Sequence, residues 1–186
     1  MTAPVACWST DDGVQRAWYF SIRHRVFVEE QRIMSLTDVD MWDCDPGTGH
    51  VLASHGDTVA GTVRIYRHGG ADGRRWKGDR LAVLKPHRAS LVGARLVQFA
   101  VATAAARGGD VMDAHVQVQN VHFFERLGWS LDGPPVPYFG VPHQPMVFDL
   151  ATAADLDISQ VPADPRLELP APRQNPSSLL AAAVAT

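Results

Sequence analysis

The segment 80–129 constrains the fold of this 186-residue chain more than any other part of the sequence. An apolar strand at 81–84 leads through a turn into a long amphipathic helix at 91–107. A second strand at 111–116 and a short helix at 118–127 follow. This order places a helix N-terminus, with its free backbone N–H groups, beside the ends of two neighbouring strands. Such a site favours a ligand that carries a pyrophosphate group.

The chain has the length and composition of one globular domain. Its residues are 46% hydrophobic and 20% charged, which is typical of a soluble protein with its own core. Residues 1–150 carry the strand and helix patterns and form the predicted domain. Residues 151–186 contain five prolines and no aromatic residue. They are therefore predicted to be a tail, either disordered or lying against the domain.

Charge and residue usage exclude several classes of function. The net charge of −3 gives no basic surface for nucleic acid. No apolar run is long enough for a membrane span, and the N-terminus lacks the pattern of a signal peptide, so a cytoplasmic protein is expected. Cys7 and Cys44 stand far apart and form no metal-ligand spacing with the histidines.

Strand and helix patterns along the chain predict an α/β (α+β) fold. Their order is β, α, β, β, β, α, β, α, β, which favours a mixed sheet with helices on both faces. A helix is predicted over 14–31, with Trp18, Ile22, Val26 and Phe27 on its buried face. The turn at 55–57, with its central glycine, predicts a hairpin between two strands.

Three other segments are predicted to be irregular. The stretch 34–49 is acidic, and its aspartates suit a cationic substrate or remain solvated. The basic cluster 74–77 is predicted to be a solvated turn, followed by a strand at 76–84. The proline-rich residues 133–137 form a predicted turn before a final strand at 146–150.

Five sequence motifs resemble one protein family. These are RVFVEEQ, GTVRIYR, WKGDRLAV, AHVQVQN and FFERLGW, spread over about residues 23–148. Together they resemble the GNAT superfamily of N-acetyltransferases, and within it the nitrogen-starvation N-acetyltransferase group. The resemblance implies the GNAT fold, a mixed and mostly antiparallel sheet that is splayed at its central strands. It also implies acetyl-CoA as the donor, a small-molecule amine as the acceptor, and allows a homodimer.

The resemblance assigns the coenzyme to the start of the helix at 91–107. In the family, a glycine-rich loop wraps the pyrophosphate with its backbone N–H groups. Arg88 and Gly93 match that loop, whereas Ala89 and Leu91 replace glycines, and a side chain at Leu91 disfavours a positive φ. The predicted anchor is Arg88, Ala89, Ser90, Leu91, Val92, Gly93 and Ala94.

The same resemblance assigns further coenzyme contacts. Leu81 and Val83 belong to the strand along which pantetheine lies in the family, and the Val83 amide is the candidate donor to the oxyanion. Asn120 is a candidate hydrogen-bond partner of the pantetheine arm. Phe124 occupies the position of the family's usual general-acid tyrosine and cannot donate a proton, so the thiolate leaves unassisted or another acid serves.

Three titratable residues are candidates for the proton transfers of amide formation. His115 lies at a strand end near the expected reaction centre, and His143 lies in a G-x-P-H-x-x-M element that the family places near the acceptor pocket. A histidine has a pKa suited to a general base, although each histidine also fits a structural role. Glu30 is either near the acceptor amine or a brace for its helix. Arg23 pairs either with a substrate carboxylate or with the stretch 34–49.

Three functions remain open from the sequence. The first is acetyl transfer to a small amine. The second is transfer of a longer acyl group, as in autoinducer (acyl-homoserine-lactone) synthases, which requires an apolar tunnel behind the splayed strands. The third is a GNAT-like domain that binds acyl-CoA without catalysis, for which Leu91 and Phe124 are the supporting residues.

Overall fold

The computed structural model describes residues 3–10, 12–69, 73–153 and 156. Within these residues, one sheet has the strand order β1-β2-β3-β4-β5-β8-β6, and β7 pairs with β8. Neighbouring strands are antiparallel except β4 and β5, which are parallel, so the predicted mixed and mostly antiparallel sheet is confirmed. The strands are β1 (Val5–Ser9), β2 (Gly49–His55), β3 (Thr58–Arg67), β4 (Arg75–Val83), β5 (Val111–Gln117), β6 (Ser130–Leu131), β7 (Val136–Tyr138) and β8 (Val141–Asp149).

Helices cover both faces of the sheet, as the pattern predicts. Helix α1 (Gly13–Arg23) packs on one face, where Tyr19 and Ile22 join a buried apolar cluster. Helices α2 (Val92–Ala106) and α3 (Val121–Glu125) lie against the larger core on the other face.

The predicted helix over 14–31 changes its geometry part of the way along. Helix α1 ends at Arg23, and the chain continues as a π-helix over His24–Glu30, closed by a hydrogen bond from the Gln31 amide to the Val26 carbonyl. Ile22 and Val26 are buried as expected. Trp18 and Phe27 are only half-buried, whereas Tyr19 and Arg23 are completely buried. The true buried face is therefore rotated from the predicted one and includes a charged residue.

The central strands β4 and β5 separate in the middle of the sheet. They pair over only three positions, from Arg75–Val111 to Lys77–Asp113. On its other side, β4 accommodates one extra residue against β3, and Arg80 adopts a φ of 52° at this bulge. The predicted splay is thus confirmed. The prediction of a solvated turn over 74–77 is wrong, because β4 starts at Arg75 and Trp76 is only 1% exposed.

Strand β8 begins five residues earlier than predicted, and β7 forms a hairpin with it. The connecting residues Phe139 and Gly140 have φ values of 50° and 74°, as a tight turn between two antiparallel strands requires. The region that reads as a proline-rich turn therefore contains a strand. This hairpin brings Tyr138 and His143 to the end of β5.

Helix α2 closely follows its predicted bounds. Gly108 has a φ of 81° just after it, as expected for a C-terminal glycine. The helix lies tightly on β3, since a β-carbon at Gly61 would lie 2.9 Å from the side chains of Val92 and Leu96. The predicted helix over 118–127 is instead a 3-10 turn (Val118–Asn120) followed by α3.

The end of the predicted domain is described only in part. A 3-10 turn over Leu150–Ala153 buries Leu150 and Ala153 against the core. The predicted tail at 151–186 otherwise lies outside the described residues, apart from Leu156, which packs on the same core.

Candidate active site

A cavity opens between β4 and β5 where the two strands separate. Its wall is polar on one side and apolar on the other, because successive side chains of a strand point to opposite faces of the sheet. The apolar side faces α2 and includes Val63, Val97, Ala100, Met112, Ala114 and Trp129. The polar side includes Lys77, Arg80, His115, Gln117, Tyr138 and His143.

His143 has a defined proton position. Its Nδ1 lies 2.8 Å from the Val141 carbonyl oxygen, which only accepts hydrogen bonds, so Nδ1 carries the proton in the neutral ring. The lone pair is therefore on Nε2. The side chain is buried in the cavity wall, and its ring packs edge-to-face on Tyr138 at a centroid distance of 5.3 Å. His143 is thus arranged to accept a proton.

In His115 the two ring nitrogens have the opposite roles to those in His143. Its Nδ1 lies 2.6 Å from Lys77 Nζ, and its ring stacks on Tyr138 with a centroid distance of 5.0 Å and an interplanar angle of 3°. A charged Lys77 has only donors, so Nδ1 accepts and the neutral ring carries its proton on Nε2. Burial and the neighbouring Lys77 charge lower the pKa of His115. His115 therefore offers a hydrogen-bond donor from Nε2.

The predicted anchor loop has an ordinary backbone at Leu91. Leu91 has a φ of −79°, so its conformation needs no glycine, and its side chain is 63% exposed. The loop is therefore not strained by the side chain at this position. Ser90 Oγ accepts a hydrogen bond from the Val92 amide at 3.3 Å. The remaining amides of the first helical turn have no partner within the helix, so this end of α2 suits an anion.

The anchor loop contacts β4 and α3 at Gly93. A β-carbon at this position would lie 3.6 Å from Phe123 Cζ and 3.8 Å from Val83 Cγ2, which are ordinary contact distances. The structure therefore brings together the predicted residues of the loop and of β4. Ala89 is exposed and Ala94 is half-buried.

Glu30, the last residue of the π-helix, pairs with the anchor loop and does not line the cavity. Its Oε1 accepts a hydrogen bond from Arg88 Nη1 at 2.5 Å, while Arg88 Nε donates to the Val83 carbonyl at 2.9 Å. The predicted catalytic residues are thus divided. His115 and His143 lie together in the cavity, and Glu30 lies outside its lining.

Three other predicted coenzyme contacts line the cavity, whereas Val83, the candidate oxyanion donor, does not. Leu81, Asn120 and Phe124 form part of its wall. Phe124 is buried and packs edge-to-face on Trp129 at 5.4 Å. Of the chain's three tyrosines, Tyr138 alone lines the cavity, and it is a hydroxyl-bearing residue that sequence reasoning missed.

Lys77 is the second residue that sequence reasoning missed. It is 8% exposed, and burial lowers the pKa of its ammonium group. A signal was present in the sequence, because Lys77 and Lys85 are the only lysines in a chain with 17 lysine and arginine residues.

The acidic stretch 34–49 faces inward rather than toward a substrate. Asp38 and Asp43 are buried, and each accepts a 2.5 Å hydrogen bond from the completely buried Arg23. The interpretation of this stretch as a surface for a cationic substrate is therefore wrong for these two residues. The structural pairing of Arg23 is confirmed.

A second buried arginine extends this network to the sheet. Arg64 contacts Asp40 at 2.6 Å and Asp79 at 2.8 Å. Burial alone would raise the pKa of Asp43, but hydrogen bonds from the Arg23 guanidinium and the Asp40 amide lower it to about 2.

The comparison with protein families decides the assignment. A profile of the family described as "Acetyltransferase (GNAT) family" matches residues 15–129, which is more than half of the chain. The chain belongs to this family. It is therefore an acyltransferase, and the alternative of a domain without catalysis is set aside.

Individual relatives agree with the family assignment. "Putative acetyltransferase BSU40680" of Bacillus subtilis (strain 168) is 32% identical over 127 residues, which cover 67% of this chain and 82% of that protein. The fold is similar to that of Escherichia coli ElaA, with a TM-score of 0.67 and 21% identity over 80% of this chain and all of ElaA. It is also similar to the CoA-dependent acyl-homoserine lactone synthase BjaI, with a TM-score of 0.64 and 19% identity over the whole of both chains.

The described residues contain neither a membrane-spanning helix nor a cluster of metal ligands. No helix in residues 3–10, 12–69, 73–153 and 156 combines the length and apolarity needed to cross a bilayer. The same residues contain no group of three or more His, Cys, Asp or Glu side chains that could hold a metal ion.

Proposed function

We propose that this protein is a cytoplasmic, acetyl-CoA-dependent N-acetyltransferase of the nitrogen-starvation group that acetylates the amine of a small metabolite. The observation that carries the proposal is the cavity between β4 and β5, which holds a histidine with a free Nε2 lone pair. Leu81 of β4 lines the cavity, and β4 ends beside the N-terminus of α2. These observations support an anchor at α2, a thioester along β4 and a base at His143.

The anchor consists of the first turn of α2 and its preceding loop. The amides of Val92, Gly93 and Ala94 and the Arg88 side chain would hold the pyrophosphate at the positive end of the helix. Asn120 and Leu81 would contact the pantetheine arm, since both line the cavity. This holds the thioester where β4 and β5 part, and supplies the proximity that amide formation needs.

The transfer itself is a direct attack of the amine on the thioester carbonyl carbon. His143 Nε2 accepts the amine proton as the carbon–nitrogen bond forms, and the carbon–sulfur bond then breaks to release the CoA thiolate. Tyr138, whose ring contacts both histidines, supplies the hydroxyl that Phe124 lacks and donates a proton to the thiolate. The proton taken up by His143 then passes to Tyr138 through water, which restores both residues. The Nε2–H of His115 provides a donor to an oxygen in the cavity.

The charge of the cavity favours an acceptor that also carries an anionic group. Lys77 lies on its polar side without an ion-paired carboxylate, whereas the other charged groups of the wall are already paired, Asp79 with Arg64 and Arg80 with Asp40. An amino-acid-like amine fits this charge pattern better than a polyamine does.

A screen of amines for CoA release tests the proposal directly. Purified protein, acetyl-CoA and a panel of amino acids, amino-acid amides and polyamines are monitored with a thiol reagent. Release of CoA with carboxylate-bearing amines, and not with their amides, is the expected result. Absence of acetyl-CoA binding by calorimetry at high micromolar concentration would sink the proposal.

One observation supports a second candidate, a longer acyl donor. The cavity continues behind the splayed strands, where its wall contains the small residues Gly78, Ala100 and Ala114. BjaI, a CoA-dependent acyl-homoserine lactone synthase, shares the fold. A series of acyl-CoA donors of increasing chain length distinguishes the two. Better turnover with longer chains, lost in Ala100→Leu but kept for acetyl-CoA, would favour this candidate.

A further inference from the structure

The chain uses lysine in only two places, and these differ completely in their surroundings. Of 17 lysine and arginine residues, only Lys77 and Lys85 are lysine. Lys85 is exposed on the 3-10 turn after β4, whereas Lys77 is 8% exposed and lines the cavity. A lysine amine is a nucleophile once it loses its proton, and an arginine side chain is not. The chain thus places its one buried amine at the reaction centre.

Asp113 and Asp79 favour the charged form of Lys77 from a distance, but neither forms an ion pair with it. Asp113, its neighbour on β5, is paired with Arg75 and His68, and Asp79 on its own strand is paired with Arg64. Among the described residues, no carboxylate oxygen lies within 4.0 Å of Lys77 Nζ. A buried ammonium without a counter-ion is poorly stabilised, so its neutral form is accessible.

The partner that Lys77 does have is a base. His115 Nδ1 lies 2.6 Å from Nζ, and stacking on Tyr138 fixes the plane of the His115 ring. A nucleophile within hydrogen-bond reach of a base, which a third group orients, is the arrangement found in covalent catalysis. Nothing in the transfer to an external amine requires this second nucleophile.

The position of Lys77 on β4 brings it close to the donor. It is the last residue of β4 that pairs with β5, directly before the strands separate, and it shares the cavity with Leu81 of the same strand. A thioester held in this gap is open to attack from the acceptor side. When no acceptor is bound, the nearest amine on that side is Lys77.

We propose that the enzyme transfers the acyl group of its donor to Lys77 Nζ when the acceptor site is empty. This self-acylation rests on the proposed function, because it uses the same bound thioester. The Lys77 ammonium gives one proton to His115 Nδ1, and the neutral Nζ attacks the thioester carbonyl carbon. The carbon–sulfur bond breaks, the leaving thiolate takes the second Nζ proton, and His115 releases its extra proton to water. The products are an acyl-lysine amide, CoA thiol and one proton.

The modification changes the cavity in two ways. The amide is neutral, so the positive charge that favours an anionic acceptor disappears. The acyl group also occupies the space beside His115. Self-acylation therefore turns off the transferase when donor is present without acceptor.

Mass spectrometry tests the proposal without any knowledge of the acceptor. Protein is incubated with isotope-labelled acetyl-CoA and no added amine, and intact mass and peptide mapping follow the label. One acetyl group per chain on Lys77 is expected. Its formation should be faster than labelling of the exposed Lys85, although exposure alone would favour Lys85. The His115→Gln variant should slow the reaction about a hundredfold.

Matched variants identify the site. Lys77→Arg keeps a positive charge but accepts no acyl group, so its label should vanish, whereas Lys85→Arg should be labelled like the wild type. Thermal melting confirms that each variant is folded. A denatured sample serves as the control for chemical acetylation, and Lys77 labelling at the same rate in that sample would refute the proposal.

The outcomes separate this proposal from the proposed function. If acetyl-CoA binds and an external amine is acetylated while Lys77 stays unlabelled, self-acylation is wrong and the transferase stands. If Lys77 is labelled and every amine fails, self-acylation stands and the acceptor class is wrong. If acetyl-CoA does not bind, both proposals fall.

Discussion

At the scale of single residues, the two cavity histidines have different roles because their hydrogen bonds differ. The Val141 carbonyl fixes the proton of His143 on Nδ1, whereas Lys77 in its charged form directs the proton of His115 to Nε2. The sequence identifies both histidines but not which one accepts a proton. The His143 proton depends on the orientation of its ring toward a carbonyl of the same strand, and the His115 proton depends on Lys77 of β4, which is far from His115 in the chain.

The first prediction concerns His143. The His143→Gln variant should lower kcat about 10²–10⁴-fold, because it removes the proton acceptor. His115→Gln should lower kcat less. The control is His122→Gln, since the His122 side chain is 79% exposed. A larger loss of kcat in His115→Gln than in His143→Gln would reverse the assignment.

Sequence reasoning missed the residues whose environment is created by the fold. Lys77 follows two exposed arginines and a tryptophan, so its segment resembles a solvated turn until β4 pairs with β5. Tyr138 lies between a proline and a glycine turn, and only the β7–β8 hairpin carries it to His115.

At the scale of elements, the start of α2 provides the second prediction. Gly93→Val should weaken acetyl-CoA binding about tenfold or more, as measured by calorimetry, because its branched side chain crowds the amides of the first turn. The fold should survive, since the space at Gly93 already accepts a β-carbon. Gly93→Ala is the matched control, with a smaller effect expected. Equal affinity in all three proteins would remove Gly93 from the coenzyme site.

The elements that were predicted correctly are those with strong local signals. Helix α2 has a sustained apolar pattern and a terminal glycine, and the β2–β3 hairpin has a glycine turn with a φ of 61° at Gly56. The π-helix after α1 and the strand β7 lack such signals. The π-helical segment directly follows the completely buried Arg23, a residue type that is rarely buried.

At the scale of the whole molecule, a buried charge network joins three parts of the fold. Arg23 from α1 and Arg64 from β3 hold the segment between them through Asp38, Asp40 and Asp43. Arg80 at the β4 bulge also contacts Asp40, at 3.0 Å. The network thus supports the left-handed backbone of Arg80, a residue in the cavity wall, by contacts that lie outside the cavity.

The third prediction tests this network by removing one partner. Arg23→Met should destabilise the protein by about 3–5 kcal/mol, because the buried Asp38 and Asp43 lose their shortest ion pairs and keep only the longer contacts to Arg80 and Arg64. Urea unfolding at neutral pH measures the change. Arg126→Met, at an exposed position, should change stability little. A loss below about 1 kcal/mol in Arg23→Met would show that the pairs contribute no more than surface ion pairs.

The network and its neighbour His50 also make the stability of the protein dependent on pH. His50 is 2% exposed, and burial together with the nearby Arg16 charge lowers its pKa to about 4, from an unfolded value of about 6.5. The folded state therefore binds fewer protons than the unfolded state between these values. The stability contributed by neutral His50 is present above about pH 6.5 and is lost as the pH falls toward 4.

Asp43 affects the stability of the protein in a lower pH range. Its pKa of about 2 lies below the unfolded value, so its contribution is present above about pH 4 and is lost as the pH falls toward 2. The two groups can therefore be separated by the pH at which each one titrates.

The fourth prediction is that urea unfolding of the wild type shows a loss of roughly 3 kcal/mol between about pH 6.5 and 4, from His50 alone. His50→Leu should remove this loss and leave the fold intact at pH 7, because both ring nitrogens of His50 lack a hydrogen-bond partner. Asp43→Asn should be less stable at pH 7, because it weakens the pairing of Arg23, and should keep the loss between pH 6.5 and 4. If the unfolding free energy of His50→Leu still falls by the same amount between pH 6.5 and 4, another group must release its proton on folding in this range. The acid sensitivity would then arise from that group and not from His50.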